Sequence, residues 1–74
     1  MKVKLFGTLK TFTGGRGLIE IRVDSEKRVK DIISSLRIPD NHVFLIEKGG
    51  KAISRDFVLK DNDEIVLVPL LEGG

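Results

Sequence analysis

The chain has 74 residues, 41% hydrophobic and 32% charged, and a net charge of +2 from 13 basic and 11 acidic residues. This describes one globular domain and excludes a disordered chain, a strongly basic nucleic-acid binder and an enzyme with room for an enclosed cleft, because a chain so short buries only about 60% of its unfolded surface. The absence of cysteine excludes disulfides, thiolate metal ligands and a cysteine nucleophile, and a lone His42 with scattered acids does not make a metal site.

In chain order, Val3, Leu5, Gly7 and Leu9 alternate with polar residues apart from Phe6, which predicts a first strand over residues 2–9. Thr13-Gly14-Gly15-Arg16-Gly17 reads as a hairpin loop, lacking the lysine and helix start of a phosphate loop. Leu18 to Val23 reads as a second, antiparallel strand with Ile19, Ile21 and Val23 on one face. The period then changes. Val29, Ile32, Ile33 and Leu36 form one face of a helix, with Asp24 or Ser25 as candidate caps and Ile38-Pro39 as its end. Val43 to Lys48 is a third strand, Gly49-Gly50 a tight turn, and Lys51-Ala52-Ile53 a short strand. Asp56 to Asp63 reads as an irregular connection pinned by Phe57 and Leu59. Ile65 to Val68 is apolar at every position, as expected of a strand in the middle of a sheet.

One helix cannot cover both faces of a sheet, so the simplest layering is an α+β fold with a mixed sheet of four to five strands packed on one helix. The last strand then lies beside the first. Residues 1–69 form the domain and residues 70–74 a C-terminal tail. The longest apolar run, Ile65 to Leu71, is far short of the roughly 20 residues needed to cross a bilayer. The strict alternation of Met1-Lys2-Val3-Lys4-Leu5 is unlike a signal peptide, and the two observations together predict a cytoplasmic protein.

This order of elements resembles the β-grasp, or ubiquitin-like, fold. More narrowly the chain resembles the MoaD/ThiS-type sulfur carriers, the family of the molybdopterin synthase small subunit and the thiamine-pathway carrier. The resemblance is carried by Val3-Lys4-Leu5-Phe6-Gly7-Thr8-Leu9, by Val29-Lys30-Asp31-Ile32-Ile33-Ser34-Ser35-Leu36 and by Gly49-Gly50. It continues through Leu59-Lys60-Asp61-Asn62-Asp63-Glu64-Ile65, Val68-Pro69 and the closing Gly73-Gly74. Asn62 stands where the family has glycine in its Asp-Gly-Asp turn, a mild change because asparagine tolerates positive φ. Leu70-Leu71-Glu72 replaces a shorter, small-residue approach to the double glycine.

The resemblance implies a carrier with no catalytic residue, no bound cofactor and no metal. Its working group is the carboxylate of Gly74, which an ATP-using adenylyltransferase resembling ubiquitin-activating enzymes would adenylate; a sulfur donor would then convert it to a thiocarboxylate. ATP is consumed by that partner and not bound by the carrier. Glycine suits such an end because Gly73 and Gly74, without Cβ atoms, fit a narrow channel and reach backbone conformations closed to other residues. Glu72 sets a negative charge beside the reacting end and bears on which activating enzyme accepts it. Read without the resemblance, the double glycine is a frayed terminus or a linker.

The expected second partner is the large subunit of molybdopterin synthase, favoured by the Phe6…Leu9 opening, or another sulfur-acceptor enzyme in thiazole synthesis or tRNA thiolation. A modifier joined to lysines through Gly74 is the alternative use of the same end, and a β-grasp interaction module with an idle tail is the other. Leu70, Leu71 and Phe6 are the expected partner contacts; Phe44 belongs to the same apolar group, some of which must pack the core. His42 reads as a solvated loop residue, Lys48 and Lys51 as solvated lysines, and Asp61, Asp63 and Glu64 as turn residues bonding local backbone.

Overall fold

The computed structural model describes residues 1–70. Its strands are β1 (Lys2–Leu5), β2 (Leu18–Glu20), β3 (Lys27–Arg28), β4 (Val43–Lys48), β5 (Lys51–Ala52), β6 (Val58–Leu59) and β7 (Glu64–Pro69). The single α-helix, α1, spans Val29–Ser35, and 3₁₀ segments cover Gly7–Thr13 and Asp40–His42. Five strands form a mixed sheet in the order β2-β1-β7-β4-β5, and β3 and β6 form a separate antiparallel pair. This is the mixed sheet over one helix that the β-grasp resemblance implies.

β7 occupies the centre of the sheet because its sequence alternates between two apolar classes. Ile65 and Leu67 are fully buried against the helix side, while Val66 and Val68 on the other face are half-buried. It runs parallel to β1, pairing Val3 with Ile65 and Leu5 with Leu67, and antiparallel to β4, pairing Ile46 with Leu67. From α1 come Val29, Ile32 and Ile33, all buried, which close the core with Leu59 and Ile38.

The first strand is shorter than its alternation suggests. After Leu5 the chain turns at Phe6 and Gly7 into a 3₁₀ segment, and Leu9 reaches the core from there, 0% exposed. Gly7 takes a φ of +55°, and a Cβ there would lie 3.2 Å from Pro69 Cγ, so the backbone turn packs directly on the end of β7. The second strand also ends early, at Glu20, and Ile21 and Val23 continue as extended chain only half-buried. Asp61 Oδ1 holds that stretch by accepting the Val23 N–H at 2.8 Å. The pairing of β3 with β6 is absent from the sequence reading, since two-residue strands have no period to detect. Phe57 is not an apolar pin: its ring is 36% exposed, and its carbonyl instead accepts the Val29 N–H at 3.1 Å.

Neither Asp24 nor Ser25 caps the helix. Asp31 does so from inside, its Oδ2 accepting the Arg28 N–H at 2.8 Å and placing a carboxylate in the first turn, where the free amides favour it. The helix stops before Pro39 through a Schellman arrangement, with Arg37 in the left-handed region at φ 59°. Between β4 and β5, Gly49 and Gly50 both have positive φ, as a type I′ hairpin turn requires.

Candidate functional site

The tail leaves the sheet from the end of β7, so the candidate site is the surface around Val68, Pro69 and Leu70. Phe6 follows Leu5 in extended conformation, and Leu5 is buried and pairs with Leu67; the Phe6 side chain therefore points away from the core at the end of β1, 51% exposed. On the other flank Val43 pairs with Pro69 but Leu45 pairs with Val68, which leaves Phe44 as the extra residue of a β-bulge. The bulge reconciles two demands. Val43 and Ile46 are both buried, although three positions apart is out of phase with a strand's period of two. Phe44 is turned outward as a result and is 64% exposed.

Phe6, Phe44 and Leu70 thus stand exposed at one end of the sheet, each at least half solvent-accessible. Phe44, Val68, Pro69 and Leu70 line a shallow apolar depression of about 300 Å³. A surface of this kind, with large apolar side chains grouped at a strand end, is suited to bury against a partner. A larger depression of about 370 Å³ lies at the opposite end of β1 and β7 from Leu70, lined by residues that include Met1, Glu20, Asp61, Asp63 and Glu64.

Leu70 is tied to the fold by its N–H, which donates to the His42 carbonyl at 3.0 Å. His42 is exposed, as expected of a solvated residue, and its backbone has the added part of anchoring Leu70. It closes the 3₁₀ turn before β4, and its ring lies 5.6 Å from that of Phe12. Lys48 also departs from expectation: it is half-buried, pairs with Asp63 at 3.6 Å and lies over the Phe57 ring at 5.8 Å. Asp63 does bond local backbone, accepting the Lys60 N–H at 2.8 Å, whereas Asp61 reaches the distant Val23.

Of the residues read from the sequence as the site, Leu70 lines the apolar depression, Phe6 is exposed at the same end of the sheet without lining it, and Leu71, Glu72, Gly73 and Gly74 lie outside the described residues. For Phe44 the sequence left core and surface both open, and the bulge that displays it decides for the surface. Among the described residues no charged side chain is buried, no cluster of three or more His, Asp or Glu is placed to hold a metal, and no helix is long and apolar enough to cross a membrane.

No curated protein matches the chain by sequence. Among solved structures, small archaeal modifier protein 1 of Haloferax volcanii is similar in two crystal structures. In one the TM-score is 0.73 at 22% identity, covering 100% of this chain and 98% of that one. In the other the TM-score is 0.75 at 22% identity, covering 96% and 97%. A thiamine biosynthesis protein of Geobacter metallireducens is similar with a TM-score of 0.57 at 17% identity, covering 100% of this chain and 88% of that one. At such identities these likenesses establish the ubiquitin-like β-grasp fold. The ThiS family model matches residues 3–74, nearly the full length, and the chain is a member of the ThiS family of small ubiquitin-like proteins.

Proposed function

We propose that this protein is a sulfur carrier that works through the carboxylate of Gly74. An activating enzyme of the ubiquitin-activating type joins the carboxylate to AMP with release of pyrophosphate from ATP. Sulfur at the sulfide level, delivered as hydrosulfide, then attacks the acyl carbon and AMP leaves; the resulting thiocarboxylate gives its sulfur to a substrate on an acceptor enzyme and takes an oxygen in exchange, which restores the Gly74 carboxylate. The observation that carries the reading is the family match, which runs through residue 74 and so includes the double glycine. The apolar surface of Phe6, Phe44 and Leu70 at the root of the tail supports it, since a carrier with no catalytic group of its own depends on docking. The reaction takes place in the cytoplasm, and the ATP belongs to the partner.

The sulfur acceptor we favour is the large subunit of molybdopterin synthase, on the Phe6…Leu9 opening. Family membership keeps thiazole synthesis as the second reading. Removing Gly73 and Gly74 from the protein in its own cells tests both. Loss of molybdopterin is the expected result, and loss of thiazole instead assigns the second reading. Full retention of both, with no other thiolated product lost, refutes the carrier role, and Gly-Gly remnants on target lysines would show a modifier in its place.

A further inference from the structure

Leu70 is the last described residue, and its N–H donates to the His42 carbonyl; Pro69 before it has no N–H to give, so among the described residues this is the one backbone N–H bond that residues 69–70 donate. The placement of the His42 carbonyl therefore sets where the tail begins. His42 sits between two residues gripped by one side chain. Arg55 donates from Nε to Asp40 Oδ1 at 2.6 Å, and from Nη2 to the Asp40 carbonyl at 3.1 Å and the Val43 carbonyl at 2.7 Å. The base of that side chain is itself fixed. The Arg55 carbonyl accepts the Lys30 N–H at 2.9 Å and the Phe57 carbonyl accepts the Val29 N–H at 3.1 Å, so free amides of the first helical turn hold residues 55–57 in place.

An exposed ion pair contributes little to stability on its own. A guanidinium that satisfies three acceptors around one turn does something else: its planar fork specifies geometry. We propose that Arg55 is a positioning residue for the tail, holding the Asp40–Val43 turn so that the His42 carbonyl meets the Leu70 amide and the chain leaves the sheet from a fixed point. The inference rests on the carrier reading, in which a partner must take in the tail and gains affinity when its root is already ordered.

Amide hydrogen exchange followed by NMR on the full chain tests it. In Arg55→Ala the protection of the Leu70 amide falls roughly three- to tenfold relative to that of Leu67 in the same variant, the loss expected for one hydrogen bond. Arg55→Lys restores part of that ratio, and Lys30→Ala, which breaks the exposed pair with Asp56 (3.2 Å), leaves it unchanged. Should Arg55→Ala fail to fold, Arg55→Gln, which keeps the bulk of the side chain but loses the guanidinium fork, carries the same comparison. An unchanged ratio, or an equal fall at Leu70 and Leu67, overturns the proposal, because a merely structural role lowers both together. Nothing in this test uses sulfur chemistry. A Leu70 effect in a chain that never acquires sulfur would defeat the carrier reading and leave the positioning role standing; the reverse result would defeat only the positioning role.

Discussion

The backbone N–H of Ile38 reaches back over Arg37 to the carbonyl of Ile33 at 3.2 Å, while the Arg37 N–H bonds the Ser34 carbonyl at 3.0 Å. This closure forces Arg37 to a φ of 59°, where its Cβ is crowded and glycine is the usual occupant. Arg37→Gly is expected to raise unfolding stability by about 0.5–1 kcal/mol, read as a higher urea midpoint with an unchanged slope. A lower midpoint would mean that the arginine side chain contributes more than the strain costs.

Leu67 and Leu70 lie three residues apart and separate stability from docking. Leu67 is fully buried in the central strand, so Leu67→Ala should cost about 2–5 kcal/mol, a large share of the roughly 5–10 kcal/mol available to a small domain. Leu70 is 50% exposed, and Leu70→Ser should change stability by less than about 0.5 kcal/mol. If it docks a partner as proposed, the same substitution lowers the yield of sulfur-loaded protein in the native cells, measured by intact mass. Phe44→Ser should behave as Leu70→Ser does.

Asp61 links acid stability to the connection after β2. Its carboxyl is held below its ordinary value of 3.8, chiefly by the hydrogen bond from Val23 N–H; desolvation opposes this, and the nearby N-terminal ammonium and Arg22 add smaller lowering contributions. A carboxyl whose folded pKa is depressed stabilises the fold above its unfolded value and loses that contribution as pH falls through the folded one. Asp61→Ala should therefore lower the urea midpoint near neutral pH, with the gap from the parent shrinking as the pH drops below about 3.8. Asp61→Asn, which keeps an oxygen for Val23, should lose less. A gap that stayed constant into acid would remove the charge from the explanation.

Gly7 joins the end of β1 to the end of β7. An alanine there must hold φ +55° and set its Cβ 3.2 Å from Pro69 Cγ, so Gly7→Ala should cost about 1–2 kcal/mol. Chemical shifts should move at Pro69 and Leu70 more than at Lys2, at the opposite end of β1. Equal shifts along the strand would contradict the close packing.

How far the sequence disclosed these features follows from how local each one is. The alternation of Val3 and Leu5, the helical spacing of Val29, Ile32 and Ile33, and the all-apolar Ile65 to Val68 each report a buried face directly, and the last of these led to the expected pairing of the final strand with the first. Leu9 misled because a period of two continues across Gly7 in the sequence although the backbone turns there. The pairing of β3 with β6, the bulge at Phe44 and the grip of Arg55 on Asp40 and Val43 join residues distant in the chain, and no local pattern encodes them. Phe6 and Leu70 were legible as candidates because large apolar side chains beside a strand end are conspicuous, and both are exposed; the part of His42 was not legible, because it is played by a backbone carbonyl that every residue possesses.

The most direct measurement is the intact mass of the protein taken from its own cells without reducing or alkylating treatment. The account predicts a population heavier by one sulfur-for-oxygen exchange, located by fragmentation at Gly74 and abolished when the activating enzyme is removed. A chain carrying only its ordinary carboxylate under sulfur-replete growth, or a polypeptide continuing untrimmed past Gly74, would contradict it.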